Sequence, residues 1–161
     1  MEAFWEAFEL EYRQSVRLLR GKRRQRPLTC AGVMRLSPDA EENDLLLAEI
    51  LSGQRTAYID TLSNLQRLGR PIMGNGEYYV LVDSSESPRC VLQTTGAHFT
   101  AFREMKAEWA QMEGAEPTLQ AWQSRWRSIL MQDAQAMGVP LSLEEMMVVE
   151  TFRVVYQPGE A

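Results

Sequence analysis

The segment that most constrains this chain is residues 45–60. Leu45, Leu46, Leu47, Ile50 and Leu51 form an apolar helical tract that runs into Ser52-Gly53, and Arg55 follows two residues later. Glycine after the last apolar turn is the usual helix stop, because it enters the left-handed region at little cost. From Thr56 to Ile59 the pattern becomes extended, so a helix hands over directly to a strand. Arg55 therefore leaves a helix end at a set angle and opens that strand. A cation held in this way can point into a pocket.

The flanking segments agree with a mixed fold. In residues 3–20, Phe4, Phe8, Tyr12, Val16 and Leu19 recur at spacings of four, four, four and three, one face of a helix that Gly21 ends. Residues 22–27 read as a basic connector and residues 28–34 as a short strand. Ser37-Pro38 opens the helix that ends at Gly53, with serine as N-cap and proline in the first turn. Residues 63–76 are polar and contain Pro71, Gly74 and Gly76, which suggests a long rim loop. Residues 77–83 alternate Tyr78, Val80 and Val82 with Tyr79 and Leu81. They pair as a hairpin with residues 89–95 across a turn at 84–88, and residues 98–101 extend the sheet.

Two helices follow, residues 103–113 before Gly114 and residues 117–137 before Gly138. Ser142 with Glu145 reads as a capping box, and residues 147–156 are a valine-rich closing strand. Hairpin signals without repeated βα units give an α+β class with a small, mostly antiparallel sheet. The division expected is an N-terminal helix and connector over residues 1–30, then one domain over residues 31–161.

Charge separates the possible functions. The net charge is −5, yet Arg17, Arg20, Lys22, Arg23, Arg24 and Arg26 crowd six of the 17 basic residues into one short stretch. An acidic body does not bind nucleic acid indiscriminately, but a local basic patch can engage phosphate. The plain alternative is a solvated helix end whose cations complement the helix dipole. No apolar run approaches the ~20 residues needed to cross a bilayer, and Met1-Glu2-Ala3-Phe4-Trp5-Glu6 lacks the order of an export signal. The expectation is a cytoplasmic protein with no membrane partner. Cys30 and Cys90 have no metal spacing and read as reduced thiols.

His98 is the sole histidine, so a histidine-based metal cluster or Ser/His/Asp relay is not expected. Met73-Gly74-Asn75-Gly76 lacks the strand-to-helix setting of a phosphate loop. No metal and no cofactor are expected. Trp122, Arg125 and Trp126 offer faces that stack on unpaired bases. With Leu119 and Ile129 at helical spacing, the two tryptophans read equally as core, and Arg125 and Arg127 then face solvent. Glu150 shares a strand face with Val148, Phe152 and Val154. If that face is buried, Glu150 needs a cation, and Arg55 is a plausible one.

Gly53-Gln54-Arg55-Thr56-Ala57-Tyr58 resembles the signature of the ASCH domain, a PUA-like family associated with RNA. In that family a lysine and a threonine occupy the positions that are Arg55 and Tyr58 here. The resemblance continues through Ile72-Met73-Gly74-Asn75, Asp83, Pro88, Thr94-Thr95, Phe102, Ala110, Glu113-Gly114 and Trp122 to Glu150-Thr151-Phe152-Arg153. It covers roughly residues 35–156. A histidine usual in the larger subgroup is replaced by Trp126.

The resemblance implies a small mixed or antiparallel β-barrel flanked by helices. It implies RNA or nucleotide recognition in a cleft formed by Arg55, Tyr58, Glu113, Trp122, Arg125, Trp126 and Glu150, with the segment from Arg17 to Arg26 on phosphate. Some small members resemble amidohydrolases of acetylated cytidine. The alternative is thus a hydrolase on modified nucleosides or RNA, with Glu113 moving a proton and Arg55 steadying an oxyanion. Arginine cannot serve as the base. The plain reading of Arg55 is a structural pair with Glu113 or Glu150. A further alternative is a non-catalytic module that binds a protein partner through its N-terminal aromatic helix. The oligomeric state stays open.

Overall fold

The computed structural model describes residues 1–20, with the backbone alone at 19 and 20, and residues 27–159. Helix α1 spans Glu2–Arg20, strand β1 Cys30–Met34, α2 Ala40–Leu51 and β2 Ala57–Thr61. They are followed by α3 Leu62–Arg67, β3 Tyr78–Val82 and β4 Pro88–Ala101. The chain ends with α4 Ala107–Glu113, α5 Leu119–Met137 and β5 Met146–Tyr156. The five strands form one sheet in the order β1-β3-β4-β5-β2. β1 runs parallel to β3, and the other neighbours are antiparallel. This is the expected α+β class, but β1 and β2 remain two separate edges. The sheet is open, which corrects the closed barrel that the family resemblance implied.

Alternation sorts the side chains of the central strands onto two faces. In β3, Val80 and Tyr78 meet α1, while Leu81 and Tyr79 meet the layer under α2. Phe8 of α1 is fully buried, with its ring centroid 5.6 Å from that of Tyr78 and 5.8 Å from that of Tyr156. Burying one such ring stabilises the fold by roughly 1.5–3 kcal/mol. The aromatic face of α1 is therefore occupied by the sheet of its own chain, and a protein partner would have to meet α1 elsewhere. A third cluster joins Trp122, Trp126 and Leu130 of α5 to Ile59 of β2 and to Met147 and Val149 of β5. Among the described residues no helix is long and apolar enough to cross a membrane.

Several local expectations shift. The N-cap of α2 is Asp39, whose carboxylate accepts the Glu42 amide at 2.8 Å. Ser37 stands two residues earlier and accepts the Asp39 amide. The polar stretch at 63–76 is not all loop. Thr61 caps the six-residue helix α3, which is anchored by buried Leu65 and too short to show a period. The two strand segments at 89–95 and 98–101 are one strand, β4, with a register shift between Thr94 and Gly96. Helix α4 starts at Ala107, after a short 3-10 turn at Phe102–Glu104. Ser142 caps no helix, and Glu145 instead accepts the Ser63 hydroxyl.

A cavity between two charged corners

The helix-to-strand tract folds as its glycine demands. Gly53 has φ 79°, its amide bonds the Ile50 carbonyl, and the Arg55 amide bonds the Glu49 carbonyl, both at 3.0 Å. This turn carries the Arg55 side chain back beside Glu49, whose carboxylate accepts its Nε at 2.8 Å. Arg55 pairs neither with Glu113 nor with Glu150. The helix end brings Glu49 within reach before any distant residue can compete. The terminal guanidinium nitrogens of Arg55 carry no hydrogen bond among the described residues.

The end of α4 is clamped onto the same tract. Thr56 donates its amide to the Met112 carbonyl at 2.8 Å, and the Gln54 side chain donates to the Gly114 carbonyl at 2.9 Å. Gly114 has φ 75°, and a Cβ there would collide with the Gln54 carbonyl oxygen. Glycine is required twice over at this crossing. The clamp sets Glu113 beside the Arg55 strand.

A cavity of about 620 Å³ opens at this junction, between β2, the segment leading into α2, and α5. Arg55, Tyr58, Glu113, Arg125 and Trp126 all border it, so five of the predicted residues meet in one place. Trp122 and Glu150 lie behind the wall. Trp122 is fully enclosed and stacks on Phe102 at 5.8 Å, so it offers no face to a base. Glu150 is buried and does not border the cavity. Of the basic segment, Arg17 lies exposed on α1 and Arg20 ends that helix, while Lys22, Arg23, Arg24 and Arg26 fall outside the described residues.

The first corner is built by one face of α5. Trp122 and Trp126 donate their indole N–H groups to Glu113 Oε2 at 2.6 and 3.1 Å. Arg125 donates to Glu113 Oε1. The three donors stand at i, i+3 and i+4, one stripe of a helix. Arg125 is thus half-buried rather than turned to solvent, while Arg127 is exposed. Both oxygens of Glu113 are engaged, so this carboxylate is placed to orient the indoles and Arg125.

The second corner surrounds β2. Glu150 stands opposite Tyr58 in the β2–β5 register and accepts the Met73 amide at 2.7 Å. Its cation is Arg70, 3.0 Å away but not aligned as a hydrogen bond. The Arg70 guanidinium also covers the Tyr58 ring at 4.5 Å. Burial, with the nearby Asp60 charge, pushes the Tyr58 phenol above its ordinary pKa, so it stays neutral. Asp60 is 8% exposed. It accepts the Thr61 amide and the Asn64 side-chain amide, each at 2.7 Å. Burial raises its carboxyl pKa, opposed by these hydrogen bonds and by Arg70.

Sequence reasoning missed Arg70, Asp60 and Asn64. Arg70 sat in a stretch read as loop, and its one signal was that a buried Glu150 needs a cation. Asp60 ended a strand and gave no spacing signal. His98 lies outside the cavity, stacked on Trp109 at 5.0 Å. Among the described residues no group of three His, Cys, Asp or Glu could hold a metal ion.

The fold has solved relatives. A crystal structure of an ASCH domain from Lactobacillus crispatus aligns over 97% of this chain and 94% of its own, with a TM-score of 0.72 at 18% identity. A structure of a protein from Enterococcus faecalis aligns over 96% of this chain and 90% of its own, with a TM-score of 0.63 at 19% identity. At these identities the likeness concerns the fold alone. No curated protein matches the sequence. A family model described as ASCH domain matches residues 33–156, and the protein accordingly belongs to the ASCH domain family, which is thought to bind RNA.

Proposed function

We propose that this protein is a recognition module that holds one unpaired nucleotide of an RNA strand in the cavity beside β2. The observation that carries this reading is the gathering of Arg35, Arg55, Arg70 and Arg125 with Tyr58 and Trp126 around one cavity of about 620 Å³. That volume lies within the roughly 300–1,000 Å³ usual for small-ligand sites. Guanidinium groups grip phosphate through paired N–H donors, and guanidinium and aromatic planes both stack on bases. The Arg55 terminus is open to the first role. Arg70, over the Tyr58 ring, suits the second. The basic segment from Arg17 to Arg26 adds phosphate contacts.

The test is the affinity of a short single-stranded RNA, read by fluorescence anisotropy across a salt series. Affinity should fall with salt, with a log–log slope of about −0.7 for each phosphate engaged. Arg55→Ala should weaken binding about tenfold or more, the range of a lost charged hydrogen bond. Replacing Lys22, Arg23 and Arg24 by glutamine should flatten the salt slope. Wild-type protein that binds no RNA at low salt would sink the reading.

A further inference from the structure

Three carboxylates border the cavity, and they differ in what holds them. Glu113 is neutralised by Arg125 and bound by two indoles. Glu42 is exposed on the first turn of α2 and accepts the Ser37 hydroxyl. Asp60 alone of the three is buried with neutral donors only, the Thr61 amide on Oδ1 and Asn64 Nδ2 on Oδ2. Among the described residues no cation comes within ion-pair distance of it. Arg70 acts on it only through space.

The carboxylate is also held still. Thr61 caps α3 through the Asn64 amide at 3.0 Å, and Asn64 Oδ1 accepts Arg67. Asn64 therefore has one way to turn, with Nδ2 on Asp60. A carboxylate has about four acceptor positions, two on each oxygen. With one on each oxygen engaged, one on each remains for a ligand that brings two donors.

Among the bases, only the guanine edge brings two adjacent N–H donors, N1–H and the 2-amino group, with no acceptor facing the carboxylate. Adenine and cytosine each set an acceptor beside their amine, and uracil sets its single N–H between two carbonyls. We infer that Asp60, positioned by Asn64, is the specificity-determining residue of the cavity and selects a guanine nucleotide. This inference rests on the nucleotide reading above. It assigns to Asp60 a role that capping and packing alone do not require, since Thr61 already caps α3.

Calorimetric titration of the full chain with GMP, IMP and AMP tests it. IMP lacks the 2-amino donor, and AMP meets Asp60 with an acceptor at N1. Wild-type protein should bind GMP about tenfold more tightly than IMP, and AMP no better than IMP, because a missing partner for a buried charged acceptor costs at least that factor. Asp60→Asn should bring GMP and IMP within about threefold of each other while AMP binding persists. Asn64→Ala, which keeps the carboxylate but frees it to turn, should lower the GMP preference without reversing it, and guards against a folding defect in Asp60→Asn. Equal binding of the three nucleotides by wild-type protein would overturn the inference, as would a GMP preference that survives Asp60→Asn; either result leaves RNA binding standing. Failure of all three nucleotides and of RNA to bind would remove the underlying reading as well.

Discussion

At the α5 corner of the cavity, Glu113 has met a cation and two indole donors, whereas at the β2 corner Asp60, among the described residues, has met only neutral amides. Both acids are buried, and both border the same space. The first corner resembles a finished structural joint. Its donors come from one helix face, so a single packing event delivers all three. The second corner keeps an uncompensated charge, which costs stability unless something else arrives to pair with it. Its remaining ion pair, Arg70 with Glu150, spans residues far apart in the chain. The difference teaches where a ligand belongs: a carboxylate already paired with a cation has little to gain from one, and a buried carboxylate with neutral donors only has more.

Breaking the first corner should have the largest effect. Glu113→Ala leaves two buried indole N–H groups without an acceptor and Arg125 with Glu116 alone at 3.4 Å, and should cost about 3–5 kcal/mol in urea denaturation. A loss below about 1 kcal/mol would mean that the joint is dispensable. Arg70→Ala should cost somewhat less, about 3 kcal/mol, because Glu150 keeps the Met73 amide. Arg70→Lys should recover part of this loss, since the charge returns without the flat face over Tyr58.

The smallest effect sharpens the contrast through pH. The Asp60 carboxyl is raised above its ordinary value of 3.8, chiefly by burial, so the folded chain holds that proton more tightly than the unfolded one. Stability from this group is greatest below the unfolded value and is lost as pH rises through the raised folded value. Wild-type stability in urea denaturation should therefore fall as pH rises above that value, by less than about 2 kcal/mol, and Asp60→Asn should remove this pH dependence. The opposite trend would show a carboxylate that is stabilised rather than strained, and would erase the difference between the corners.

Part of this site was legible before any fold was known. Gly53 as a helix stop with Arg55 at the strand entrance, and the Trp122–Trp126 stripe of α5, depend on positions a few residues apart. Glu113 and Tyr58 were reached by the family's order of motifs. Arg70 was not legible, because it lies between a helix too short to announce itself and a strand.

What the sequence determined by itself is local: where helices stop, which residues of β3 face each side, and which side chains of α5 share a stripe. Backbone geometry and periodicity decide these within one or two turns. Tertiary structure alone decided that the sheet stays open, that Arg55 turns back to Glu49, that Arg70 answers Glu150, and that Asp60 is buried with no cation paired to it among the described residues. Burial and ion pairing depend on which distant segments meet. Met73 and Glu150, 77 positions apart, share a hydrogen bond that no local pattern records.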